Sequence, residues 1–320
     1  MPGHYSMEPI DRFAERYLVQ WDRTSTVRST KRYVLTPEMA GESFFPPVMQ
    51  PLCDAPAVVA RGPEARRFVL VQSCYDFMNE IALLESDVVS RLSSSLAHRA
   101  HRVAMSEPVR HVALTVGVDE MYHSLAAREF IGQVRSVTGI VPVGLRQHSF
   151  LERAVDATLA RFSDELHDDV RVIAVCIAEN SITAEILGYA EGTTPDDPFH
   201  IVSEEHLVDE RRHSGFFLHV LKHYWAGLDD AERDTVGLIV PAFVQEFLDT
   251  KVWGDTSMAL LRATGLDASA AEQAFRDAFR PMPRCEFGHV RNVMRVLERS
   301  GILAHAPTRE ALADAKWIAA

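Results

Sequence analysis

Apolar residues recur three and four positions apart along most of the chain, the period of a helix with one buried face. No segment alternates strictly as a half-buried strand does. Residues 1–22 predict a short amphipathic helix whose apolar side comes from Phe13, Tyr17, Leu18 and Trp21. Pro37, Pro46, Pro47, Pro51, Pro56 and Pro63 then interrupt residues 23–67, since proline breaks a helix interior. Phe44, Phe45, Val48, Met49 and Leu52 anchor that stretch, so it is expected to wrap over the body as an ordered arm. Residues 68–106 contain neither Gly nor Pro and predict one long helix or two nearly end to end. Pro108 opens a second long helix over 109–138, and 147–166 gives a third.

The segment 169–190 predicts a fourth, strongly apolar helix. Val112–Val116 and Val170–Ile177 are β-branched enough to suggest strands, but their length and surroundings favour buried helix. The turn chemistry of residues 191–198 precedes a helix over 198–227. Shorter helices are expected at 229–253, 256–264, 268–278, 288–300 and 307–318. The pattern is all-α and one domain: arm 1–67, helical core 68–227, accessory helices 228–320.

Composition narrows the function. With 47% hydrophobic and 24% charged residues, the chain is that of an ordinary soluble protein. A formal net charge of −12 excludes a general nucleic-acid binder and a polybasic membrane attachment. Cys53, Cys74, Cys176 and Cys285 show no metal-knuckle spacing and are expected to be reduced thiols in a cytoplasmic protein. Neither a secretory leader nor a spanning segment is evident.

The candidate chemistry begins at Glu204–His213. On a helix, His206, Glu210 and His213 fall within roughly 60° of one another, a stripe of two imidazoles and a carboxylate suited to a first-row transition metal. Bundles that hold two metals draw a Glu from each of two helices and a Glu-x-x-His from each of two others, because residues three apart project to one side. This chain has Glu120-x-x-His123 and Glu210-x-x-His213; Glu286-x-x-His289 follows a proline-rich turn and is set aside. Glu85, with Glu80 as a rival, and Glu179 are the single carboxylates on apolar helices. An unpaired carboxylate in such a helix costs several kcal/mol, so Glu179 must be paired, protonated or metal-bound.

Taken together, Glu85, Glu120-x-x-His123, Glu179 and His206-x-x-x-Glu210-x-x-His213 resemble, in order and spacing, the p-aminobenzoate N-oxygenase family. These are ferritin-like non-haem diiron enzymes that oxidise amino groups to hydroxylamine, nitroso or nitro products. The resemblance implies a ferritin-like bundle, those seven residues as ligands of two iron ions per chain, O2 as co-substrate, and a role in secondary-metabolite biosynthesis. It implies an aryl or aliphatic amine, free or carrier-bound, and a homodimer. An external reductant, such as a ferredoxin or a reductase, is also implied, since no G-x-G-x-x-G is present.

His206 separates this family from bundles with two histidines. Were it not a ligand, another ferritin-like diiron or dimanganese oxidase, acting on C–H bonds or peroxide, would be favoured. A metal-free helical interaction protein is the third reading, in which these residues would scatter. Asp119 and Asp209 precede the two motif glutamates and are expected to orient histidines on the partner helix. Tyr75, Phe77 and Tyr122 are candidate pocket residues, and Arg284 and Arg291 candidate partners of a substrate carboxylate.

Overall fold

A computed structural model describes residues 9–31, 33–41, 44–190, 197–248, 251–279 and 288–318. Arg284, Cys285, Glu286 and most of the turn at 191–198 lie outside these. The architecture is all-α, and no strand occurs among the described residues. In chain order the helices are α1 (Pro9–Thr24), α2 (Thr26–Ser29), α3 (Pro56–Val59), α4 (Pro63–Leu84), α5 (Ser90–His98), α6 (Glu107–Thr138), α7 (Phe150–Leu159) and α8 (His167–Ala190). They continue with α9 (Pro198–Gly227), α10 (Asp230–Val236), α11 (Ile239–Phe247), α12 (Lys251–Ala263), α13 (Ala268–Ala278), α14 (Gly288–Ser300) and α15 (Ala306–Asp314).

Local chemistry sets the ends of the long helices. Pro63 begins α4 five residues before the expected start at 68, because proline suits a first helical turn even though it breaks an interior. A π-helical turn, Glu85–Val89, joins α4 to α5. Such insertions widen one turn and are frequent at functional sites. The pair ends at His98, short of the expected 106. Gly139 closes α6 with φ 69°, a left-handed cap that glycine adopts without steric cost. At the start of α9 the Asp197 side chain accepts from the Phe199 N–H, and Pro198 fills the first turn. The helix expected over 229–253 divides into α10 and α11, and α12 starts at Lys251 rather than 256.

The four helical rods α4–α5, α6, α8 and α9 form the bundle: α8 packs on α9, and α4 and α5 pack on α6. α1 lies across α6 and α9, while α7, α11 and α14 back α8. Val170 and Val172–Ala178 are all buried, so the β-branched run belongs to a helix enclosed on every side. One apolar cluster gathers Val112, Val172, Phe216 and Tyr224. A second gathers Tyr75, Met78, Phe130 and Phe199 with the arm residues Phe44, Phe45 and Leu52.

The arm contains α2, α3 and short 3-10 turns. Gln133 fastens it to α6 by accepting from the Leu35 N–H at 2.7 Å and donating to the Tyr33 carbonyl at 3.2 Å. No helix among the described residues is long and apolar enough to cross a membrane.

Candidate metal centre

Every sequence-selected carboxylate and imidazole of the bundle is buried or nearly so. Glu85, Glu120, His123, Glu179, Glu210 and His213 are each at most 5% exposed, and the His206 side chain is 12% exposed. One donor atom from each of Glu85, His123, His206 and Glu210 lies within 4.8 Å of every other, and the same holds for Glu120, His123, Glu210 and His213. Two compact groups therefore share His123 and Glu210. Helix geometry explains the convergence: 120/123 and 206/210/213 each stack along one face, and α6 meets α9 across the bundle. Glu85 enters at the first residue of the π turn.

Glu179 belongs to neither compact group. It is buried on α8, and burial, followed by the charges of Glu210 and Glu120, pushes its carboxyl well above the ordinary range. Its Oε2 has no hydrogen-bond partner, although Glu179 borders the same cluster. The rival Glu80 is occupied structurally. It accepts from the Phe150 N–H at 2.8 Å at the start of α7 and lies 3.3 Å from Arg146. Burial raises its carboxyl to about 7, with Arg146 acting in the opposite direction.

The two aspartates form a crossed pair. His123 Nε2 on α6 lies 3.0 Å from Asp209 Oδ2 on α9, and His213 Nε2 on α9 lies 3.2 Å from Asp119 Oδ2 on α6. Burial opposes ionisation of Asp209, but His123, Thr26 and Arg212 outweigh it and hold the carboxyl down at about 2. An ionised carboxylate only accepts, so His123 donates through Nε2. Asp119 also accepts from the Trp21 indole N–H at 2.8 Å and from the Ser25 hydroxyl at 2.7 Å. Thr26 donates to Asp209 through its backbone N–H, at 3.2 Å, and through its hydroxyl, while Arg212 bonds the other oxygen.

Trp21, Ser25, Thr26 and Arg212 are functional neighbours that motif reasoning missed. Arg212 sits inside the Glu-x-x-His motif; the other three follow no spacing rule, and only the tertiary path of α1 and α2 brings them in.

With each Nε2 committed, each Nδ1 faces carboxylates. His213 Nδ1 is 2.8 Å from Glu120 Oε1 and 3.0 Å from Glu210 Oε1, and His123 Nδ1 is 3.6 Å from Glu210 Oε1. His206 Nε2 is 2.9 Å from Glu85 Oε1 and 3.4 Å from Glu210 Oε1. The His123 and His206 rings stack with centroids 4.4 Å apart. Although close to His213, the Glu120 oxygens form no aligned hydrogen bond, and Glu85 Oε2 and His123 Nδ1 are likewise buried and unpartnered. While His213 Nδ1 and Glu210 Oε1 are hydrogen-bonded, the unpartnered oxygens of Glu85 and Glu120 and the unpartnered His123 Nδ1 call for a cation among them.

Without a metal, that cation is the proton. For His123, burial and His206 work against protonation, but Asp209, Glu120 and Glu85 raise its imidazole to about 9. Burial lifts Glu85 to about 7, with His206 and His123 acting the other way. For Glu210, His213 and His206 outweigh the cost of burial and keep the carboxyl well below its ordinary range. A set of Glu oxygens and His nitrogens fits iron, manganese or zinc and not an all-oxygen Mg²⁺ or Ca²⁺ site.

Beside the cluster lies a cavity of about 220 Å³. His123 and His206 form its inner wall, and Phe77, Ile81, Tyr122 and Phe130 form the apolar lining. Tyr75 stands apart, its hydroxyl donating to the Ile140 carbonyl at 2.7 Å. Arg291 lines a separate cleft with Met294 and Trp317, so it does not meet a substrate in the cavity beside His123.

A bundle that buries two Glu/His groups in this way defines a metalloenzyme of the helical-bundle class. The particular family follows from sequence: the model described as "P-aminobenzoate N-oxygenase AurF" matches residues 13–298, and the chain belongs to that family of metal-dependent N-oxygenases. It is also similar to the 4-aminobenzoate N-oxygenase of Streptomyces thioluteus, 20% identical over 234 residues that cover 73% of this chain and 68% of that protein.

Proposed function

We propose that this N-oxygenase is a dinuclear non-haem iron enzyme acting on a free, single-ring aryl amine. Glu85, Glu120, His123, Glu179, His206, Glu210 and His213 hold the two iron ions. The observation that carries the reading is the crossed Asp–His arrangement, which turns His123 Nδ1 and His213 Nδ1 toward buried carboxylates. When bound, reduced iron supplies the electrons and the activation of O2 that deliver oxygen to the amine nitrogen.

The chain's own residues do the rest. Glu210 belongs to both groups and would be the carboxylate common to them when metal is bound. Asp119 and Asp209 fix the imidazole tautomers, since a metal-bound histidine needs its second nitrogen held as N–H. Phe77, Ile81 and Phe130 exclude water and enclose the ring, and His123 and His206, which line the same cavity, set the amine beside the residues that would hold the iron. At about 220 Å³ the cavity falls below the roughly 300–1,000 Å³ of ordinary ligand pockets, which suits one ring rather than a carrier-tethered chain.

Electrons come from an external reductase or ferredoxin, and the products range from hydroxylamine to nitroso and nitro compounds. The chain works as a homodimer: Leu114, Val118, Met121 and Leu125 stay 42–55% exposed on one face of α6. They follow the alternating four–three spacing of a helix–helix seam.

The test is anaerobic loading with ferrous iron, followed by elemental analysis, proton counting in weak buffer at pH 7, and admission of ¹⁸O2 with a reductant and aryl amines. Near-stoichiometric iron at two per chain is expected, with release of about one proton or more as the metal displaces the cluster's protons. One ¹⁸O atom or more should enter the amine nitrogen. Iron that binds without transferring oxygen to any amine, or manganese taken up in preference with no oxygen transfer, would overturn the proposal.

A further inference from the structure

Several buried hydroxyls on these helices satisfy themselves locally. Ser73, Thr158 and Ser181 each donate to the carbonyl four residues earlier, at 2.8, 2.7 and 2.9 Å. That bond is the ready outlet for a helical Ser or Thr cut off from water. Ser203 on α9 departs from it. The residue is 7% exposed, yet its hydroxyl has no partner among the described residues, not even the Phe199 carbonyl one turn back. A buried hydroxyl left unpaired is costly, and its persistence points to a partner that arrives from outside the fold. Ser90 and Ser93 on α5 are also unpaired, but of the three Ser203 is the one that lines the cavity beside the cluster.

Its place along α9 says which part of a ligand it meets. Ser203 and His206 are three residues apart, so their side chains share a face with about 4.5 Å of helix rise between them. Both line the cavity. In the N-oxygenase reading the reacting nitrogen lies beside His206 and the ring lies among Phe77, Ile81 and Phe130. The substrate group nearest to both Ser203 and His206 is then the amino group. Thr26 and Gln133, polar residues of the same wall, are committed elsewhere: Thr26 donates to Asp209, and Gln133 holds the arm. A serine hydroxyl turns about one side-chain bond, so Ser203 can face a ligand without backbone motion.

We infer that Ser203 orients the substrate in this cavity: its Oγ accepts one N–H of the amino group and aims the nitrogen lone pair at the centre. The inference rests on the cavity being the substrate site of the N-oxygenase proposed above. An aryl amine carries two N–H donors and one lone pair. Oxygenation consumes the lone pair, so a partner that takes an N–H leaves the reactive pair free and narrows the directions in which it points. The hydroxyl, in turn, gains the partner that the fold denies it.

The test uses aniline, whose single polar group is the amine, and toluene, its near-isostere without an N–H. Both are titrated calorimetrically under argon into the full chain, metal-free and ferrous-loaded, as wild type and as Ser203→Ala. The variant is expected to bind aniline about three- to tenfold more weakly, the loss of one hydrogen bond, and toluene within about twofold of wild type. The melting temperature of the ligand-free variant should stay level or rise, because the substitution removes an unpaired buried hydroxyl. Equal effects on aniline and toluene overturn the inference, and so does aniline that fails to bind the wild type. A melting temperature lowered by several degrees overturns it too, since the hydroxyl would then already be engaged by the fold. If iron-loaded wild type still N-oxygenates aryl amines, the catalytic reading survives each of these outcomes; if it oxygenates none, that reading falls as well.

Discussion

Glu210→Gln is expected to strip the chain of most of its iron and to lower N-oxygenation by more than about a hundredfold, beyond the 10–100-fold typical of residues that only support a ligand. Glu210 is the one carboxylate present in both compact groups. Its Oε1 stands 3.0 Å from His213 Nδ1, 3.4 Å from His206 Nε2 and 3.6 Å from His123 Nδ1. His213 and His206 keep it ionised against the cost of burial. Glutamine preserves the volume but offers one weakly coordinating oxygen and an NH2 that points positive charge into the centre.

The loss should therefore be of metal rather than of fold, with helical circular dichroism retained. Elemental analysis after ferrous loading checks it, with Glu246→Gln as the control, since Glu246 pairs with Arg161 on the periphery. Wild-type iron content and turnover in Glu210→Gln would remove these residues from the centre.

How much of this was legible in the sequence depends on which physical signal each feature leaves. Periodicity carried the helices: α9 occupies Pro198–Gly227, the expected span, because a proline start and a glycine end bracket a continuous pattern. The same logic misplaced the start of α4, since Pro63 serves equally as a breaker and as a first-turn residue. Nothing in the residues 85–89 marks a π turn, which arises where tertiary packing widens a helix around Glu85.

At the centre, residues on one helix face were legible from spacing alone, which is why His206, Glu210 and His213 could be grouped. Choosing Glu85 over Glu80 rested on resemblance; the structure distinguishes them because Glu80 is spent on Arg146 and the start of α7. The hold of α1 and α2 on the two aspartates was not legible. Trp21 looks like any apolar anchor of an amphipathic helix, and Ser25 and Thr26 like loop residues, until the chain path brings them about ninety or more positions forward.

That hold gives the second large effect. Asp209→Asn is expected to weaken iron binding by about 10–100-fold, with Asp119→Asn producing a loss of the same order. The asparagine retains the shape but changes which partner donates. Its one oxygen cannot serve both sides: at the Oδ2 position it accepts from His123 and Thr26 but sets the NH2 against Arg212, which bonds Oδ1. The fixed charge of Arg212 favours turning the amide so that its oxygen meets the guanidinium and its NH2 faces His123. His123 must then accept at Nε2 and carry its proton on Nδ1, the atom that faces Glu85, Glu120 and Glu210.

A protonated Nδ1 cannot donate a lone pair to a metal, so the loss appears in affinity before it appears in stability. The readout is competition with a chelator of known ferrous affinity, alongside the melting temperature of the metal-free chain. A structural role alone would lower that melting temperature and leave the chelator competition of the folded fraction unchanged. Thr26→Val removes one of the donors that hold Asp209 without altering its charge, and a several-fold weakening is expected. The order Asp209→Asn above Thr26→Val above wild type would show that the arm sets the tautomer through Asp209. Equal affinity in all three would leave the arm a covering only.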